Sequence, residues 1–267
     1  MVVSPRALMS RLVCMICVLA GACATTPSER PDALDDYTLV LRDSPEESQD
    51  ILAQDASTDH SAVDATDGTV VSSDVRLACP DDMVHVQTFC VDRYEAPNVR
   101  GAFPLAFRTA IEGERWCSAR GKRMCTDVEW TRACRGPTAQ NYPYGERYVR
   151  GRCTDDRTWR SPSWSALGTY PSAAAMLEAE RLYQADPSGL REGCVSPEGA
   201  HDLTGNVAEW VVRTIPNSTN YSHVMKGCYW AGCFGSTPPS CSFVNPAHPA
   251  TFRSYEAGFR CCSDALP

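Results

Sequence analysis

Trp116-Cys117-Ser118-Ala119-Arg120-Gly121-Lys122-Arg123-Met124-Cys125-Thr126-Asp127-Val128-Glu129-Trp130 is the stretch on which the reading of this chain turns. Thr126 followed three residues later by Glu129 has capping-box spacing, in which a hydroxyl and a carboxylate satisfy the free amides of a helix start. Gly136 supplies the stop, because glycine readily takes the left-handed conformation that closes helices. Upstream, Thr109 and Glu112 repeat the box, and Gly121 closes that helix. Two short helices are therefore predicted, one carrying Cys117 and the other Cys134.

Outward from this core, Met83–Val86 and residues 89–91 flank a short turn, which predicts a β-hairpin pinned by Cys79–Cys90. A third helical stretch, 173–185, places Met176, Leu177 and Tyr183 near one face. The remainder is dense in Gly, Pro and aromatics with no long period and no internal repeat. It reads as an irregular α+β fold with few regular elements.

The chain has 267 residues, 43% of them hydrophobic, enough to bury the core of one large domain or two small ones. Its net charge of −8 argues against a nucleic-acid partner. That charge is uneven. Residues 24–78 hold thirteen acidic and three basic side chains, whereas 79–267 hold twenty of each sign. Low hydrophobicity and high charge predict a disordered acidic linker over 23–78, since such a stretch cannot offset its ordering entropy. Before it, Arg6 and Arg11 precede an apolar run too short to span a bilayer, so 1–22 reads as an export signal. The run ends Leu19-Ala20-Gly21-Ala22-Cys23, which resembles a bacterial lipobox with Cys23 as the acylated residue. Cleavage of a plain signal peptide after Ala22 is the other reading. Either way the expected address is outside the cytoplasm, lipid-anchored at a bacterial cell envelope where Cys23 is acylated.

Fifteen cysteines suit an exported chain stapled by disulfides. Setting aside Cys14, Cys17 and Cys23 leaves 79, 90, 117, 125, 134, 153, 194, 228, 233, 241, 261 and 262, an even set that fits six bridges. Zinc is the weaker alternative, because no Cys-x-x-Cys pair occurs and the five histidines are scattered. Exposed Trp159, Trp164 and Trp230 are candidates for carbohydrate or peptide recognition, with core packing as the other reading of each.

Several blocks in order resemble one family. The stretch 116–130 is similar to its "GKRLPTEAEWE" block, and Tyr142-Pro143-Tyr144-Gly145 to "YPWG". Residues His201-Asp202-Leu203-Thr204-Gly205-Asn206-Val207-Ala208-Glu209-Trp210 resemble "YDMxGNVWEW". Lys226-Gly227-Cys228-Tyr229-Trp230 stands where "RGGSW" is expected, and Gly258-Phe259-Arg260-Cys261 matches a terminal "GFRC". Together they look like the formylglycine-generating enzyme, or sulfatase-modifying factor, domain, here over 79–267. The resemblance implies a C-type-lectin-like α+β fold with little regular secondary structure, rich in disulfides. It also implies the pairs Cys117–Cys261 and Cys134–Cys241; Cys153–Cys194 and Cys125–Cys262 complete the proposed set.

Catalytic members of the family oxidise a sulfatase cysteine to formylglycine, using O₂ and Cu(I) held by two cysteines. Soft thiolates suit that ion. With Cys241 matched to the family's third, structural cysteine, the ligand positions fall on Ala231 and Ser236, and Tyr229 replaces the active-site serine. Cys228 and Cys233 do have Cys-x₄-Cys spacing, so they are either a displaced copper pair or a local disulfide. The family's "GNVWEW" block implies a structural calcium held by Asn206, the Val207 carbonyl and Glu209. Alternatively, Asn206 and Glu209 only hydrogen-bond the turn around Gly205.

Two functions follow as expectations. The first is an exported, tethered binding or structural module without a copper pair, meeting an envelope protein, a peptide or a glycan. The second is a copper- and O₂-dependent formylglycine-generating oxidase using Cys228 and Cys233.

Overall fold

The computed structural model describes residues 78–233 and 237–266. The export signal, Cys23, Ser236 and the linker up to residue 77 lie outside the described residues. Ala78, counted with the linker above, is bonded through its backbone N–H and C=O to Leu266, so it belongs to the folded domain.

The chain opens with the hairpin of β1, Met83–Val86, and β2, Phe89–Asp92, in the register Val84↔Val91. Its six apolar side chains at 83, 84, 86, 89, 90 and 91 are buried, and Cys79–Cys90 ties β2 to the segment before β1. Helix α1, Ala110–Ser118, and helix α2, Asp127–Arg135, start at complete capping boxes. Thr109 and Thr126 accept from the amides of Glu112 and Glu129, whose carboxylates accept in return. Between them β3, Arg123–Met124, lies antiparallel to β8, Cys261–Asp264. Strand order in this first sheet is β1-β2-β8-β3, so the C-terminal strand is enclosed by N-terminal ones.

Two helices follow: α3, Trp164–Leu167, and α4, Ala173–Leu182. Of the residues set near one face by the sequence pattern, Leu177 is exposed, and the inner face of α4 carries Ala175, Glu178 and Leu182. The helix also ends at Leu182, with Tyr183 extended as its cap. The reason is polar: Glu178 turns inward because the backbone N–H of Ser163 donates to it. The second sheet holds β4 (Ala208–Val212), β5 (His223–Lys226), β6 (Val244–Asn245) and β7 (Ala257–Phe259), ordered β6-β5-β4-β7. Strand β7 runs parallel to β4, with Glu209 opposite Gly258, which carries Arg260 from the adjoining C-terminal segment beside Glu209.

Six disulfides cross this frame: Cys79–Cys90, Cys117–Cys261, Cys125–Cys262, Cys134–Cys241, Cys153–Cys194 and Cys228–Cys233. Adjacent Cys261 and Cys262 point to opposite faces of β8, so one strand is tied to α1 on one side and to the residue following β3 on the other. Such density suits an oxidising compartment. Among the described residues no helix is long and apolar enough to cross a membrane.

Candidate functional site

The residues after β5 form the first candidate. Gly227 has a positive φ and its backbone passes so close to the Leu203 carbonyl that a Cβ would sit 2.7 Å from that oxygen, so only glycine fits. Cys228 follows with φ 62°, an uncommon conformation for a residue with a side chain. Tyr229 and Gly232 then exchange backbone bonds, folding 229–232 into a tight turn that returns Cys233 to Cys228. Their Cα atoms are 4.9 Å apart and the sulfurs are bonded.

Beside this disulfide lies a cavity lined by Met225, Tyr229, Phe243, Asn245 and Glu256. Its free volume of about 10 Å³ is the space of one water. Burial pushes up both the Glu256 carboxyl and the Tyr229 phenol, so each is held neutral more firmly than in water. The Ser254 hydroxyl donates to Glu256. Tyr255 lies edge-on to the Tyr229 ring, with centroids 6.1 Å apart, and interacts with the Trp159 indole. Nothing at this position resembles a metal-competent thiol pair. Cys228 and Cys233 are bonded to each other, and Ala231 has no donor side chain.

The second candidate, Asn206, Val207 and Glu209, turns out to be structural. Arg260 grips Glu209 with Nε–Oε2 2.7 Å and Nη2–Oε1 2.6 Å, and the Trp130 indole donates to Oε2 at 2.7 Å. Both partners are fully buried, so the pair is bidentate and dry. Arg260 also donates to the backbone carbonyls of Asp92 and His201. Asn206 is spent as well: its Oδ1 accepts the Asp186 amide, and its Nδ2 donates to Glu95 and to the Asp186 carbonyl. The set does not fit calcium. A second cation at Glu209 would lie against the guanidinium, and the Asn206 side-chain oxygen already accepts the Asp186 amide. No group of three or more His, Cys, Asp or Glu side chains among the described residues is placed to hold a metal.

Around this pair sits a buried acidic group that local sequence did not reveal. Glu95 accepts from the Ser188 hydroxyl, the Asn206 amide and the Val207 N–H. Burial, then the charges of Asp202 and Glu209, hold its carboxyl well above the usual carboxylate range. Asp202 accepts the Gly189 amide and is pushed up to about 6 by burial. Lys226, also buried, stands 5.2 Å over the Trp130 ring and is pushed down to about 8 by desolvation. The partners of Glu95 lie more than ninety residues away, and no spacing rule joins them.

Residues 104–265 match the family described as the sulfatase-modifying factor enzyme 1-like domain. The chain belongs to this family. Its α+β, C-type-lectin-like, disulfide-rich fold is the family's. Over 166 residues it is 26% identical to the Bos taurus protein named inactive C-alpha-formylglycine-generating enzyme 2, covering 61% of this chain and 51% of that one. The Mus musculus protein of the same name is 29% identical over 157 residues, covering 56% and 46%. The chain thus spans about half the length of the curated relatives it matches. Among solved structures, PvdO from Pseudomonas aeruginosa aligns with 16% identity and a TM-score of 0.42, over 66% of this chain and 80% of that one. CarF aligns with 12% identity and a TM-score of 0.44, over 67% and 87%.

Of the three tryptophans singled out, Trp230 is buried at 1% exposure and packs on Tyr183, Tyr229 and Tyr255. Trp159 and Trp164 are half exposed, at 55% and 53%. The sequence separates none of these, because all three sit in Gly- and Pro-rich segments without periodicity.

Proposed function

We propose that this sulfatase-modifying-factor-like domain is a non-catalytic binding or structural module, exported and held at a bacterial envelope membrane through Cys23. The observation that carries the reading is the Cys228–Cys233 bridge, which leaves no thiolate pair where the family performs its chemistry. Support comes from the one-water cavity beside it, too small to admit a substrate cysteine, and from relatives whose printed names call them inactive. The acidic stretch 23–78 acts as a self-repelling spacer between anchor and domain.

The test is a thiol count on the exported, unreduced protein, followed by incubation with Cu(I), O₂ and a peptide containing Cys-x-Pro-x-Arg. No free thiol among the twelve domain cysteines, no copper uptake and an unchanged peptide are expected. Free Cys228 and Cys233 that take up one copper and convert the peptide cysteine to formylglycine would replace this reading with the oxidase.

A further inference from the structure

The segment 157–164 carries two exposed indoles, yet it is held as firmly as an element of the core. The Arg157 amide donates to the Trp230 carbonyl at 2.9 Å, and Gln184 donates to the Thr158 carbonyl at 3.1 Å. Arg160 Nη1 donates to the Arg181 carbonyl at 2.6 Å, and Arg181 Nη2 returns a bond to the Ser161 carbonyl at 2.8 Å. The Ser163 amide closes the set on Glu178 at 2.7 Å. Both indoles border one buried residue: Trp159 interacts with the Tyr255 hydroxyl, and Trp164 lies against the Tyr255 ring with centroids 6.0 Å apart. Two large apolar faces are thus held at the surface near Tyr255.

Arg160 stands between the two indoles in sequence, is exposed, and among the described residues has a neutral carbonyl and no carboxylate as its partner. Its cationic neighbours are paired off: Arg157 with Asp186, Arg181 with Glu178. The cavities beside Cys228–Cys233 and along 243–248 are lined by other residues, and the indoles offer exposed ring faces. A flat, electron-rich ring face attracts the weakly positive C–H face of a pyranose. An unpaired guanidinium adds two-point recognition of a carboxylate or sulfate.

We infer that Trp159, Trp164 and Arg160 form a binding site for an acidic polysaccharide, the indoles stacking on sugar rings and Arg160 taking the anionic group. This deepens the binding-module reading by naming its ligand class, and the rigidity of the strap keeps the ordering cost of binding small.

The full chain is titrated, by tryptophan fluorescence and calorimetry, with an oligogalacturonate, a heparin oligosaccharide, neutral dextran oligomers and poly-L-glutamate. Saturable binding of the oligogalacturonate or the heparin fragment is expected, the stronger of the two distinguishing carboxylate from sulfate recognition. Trp159→Ala and Trp164→Ala each weaken it at least about tenfold, since one stacked ring contributes on that order. Arg160→Gln weakens it less and flattens its salt dependence. All three side chains are exposed, so circular dichroism of the variants should match the parent. Equal binding of dextran, tighter binding of poly-L-glutamate, no binding of either anionic sugar, or full affinity in the Trp159→Ala/Trp164→Ala variant each overturns the inference. None of these outcomes changes the thiol count, so failure here and failure of the non-catalytic reading are separable.

Discussion

On β4, Glu209 holds Arg260 and Trp130 in a dry bidentate cluster; just past the end of neighbouring β5, Cys228 to Cys233 close into a cross-linked turn. Both regions lie in blocks that resemble family motifs, and they differ in how far they follow them. In the first, Asn206, Glu209, Trp210 and Arg260 match the motif and are all buried, each with a polar partner. In the second, Tyr229, Ala231 and the Cys228–Cys233 bridge replace what the chemistry would need. A buried charge tolerates no loss of its partner, whereas a cross-linked turn holds its shape without any reactive thiol. The frame is kept where it carries buried charge and altered where the family performs its chemistry.

That contrast can be broken, most forcefully through the cross-links. Under the loop-entropy account, removing Cys153–Cys194, with a sequence separation of 41, costs about 4 kcal/mol, and removing Cys228–Cys233, with a separation of 5, about 2 kcal/mol. Urea unfolding of the paired Cys→Ala variants measures both. Equal costs would mean that the short bridge is a structural staple after all. Next, Arg260→Met strands Glu209 in the core and should cost about 3–5 kcal/mol, with Glu209→Gln added to it recovering part of the loss. A cost below about 1 kcal/mol would show that water reaches the pair.

A smaller effect comes from pH. The Asp202 carboxyl is raised in the folded state to about 6 from an unfolded value near 4, so the folded protein holds the proton longer. Its stabilising contribution is full below pH 4 and is lost as pH rises through about 6. Stability should therefore fall over that window, by a few kcal/mol at most, and Asp202→Asn should flatten the fall. Glu95, raised in the same direction, extends the decline upward. The smallest effect expected is none: a calcium chelator should leave the unfolding midpoint unmoved, because Glu209 and Asn206 are already committed to protein partners. A drop on chelation that calcium reverses would reopen the metal site.

Local rules carried the sequence a long way. Thr109, Thr126 and their glutamates announce both helices, because a capping box is satisfied within four residues. The hairpin at 83–92 was legible for the same reason, two apolar runs standing either side of a short turn. The apolar pattern failed at α4, where one ion-paired glutamate outweighed it.

What remained hidden was long-range. Whether Trp159, Trp164 or Trp230 reached solvent depended on a strap of backbone and side-chain bonds to α4, which no periodicity encodes. The same holds for Glu95, whose partners Ser188, Asn206 and Val207 converge only once both sheets are assembled. Sequence alone determined the family, the capped helices and the hairpin, since these rest on contacts between near neighbours and on ordered motif blocks. The tertiary structure decided that Glu209 serves Arg260 and Trp130, because the identity of a buried charge's partner is settled where distant segments meet.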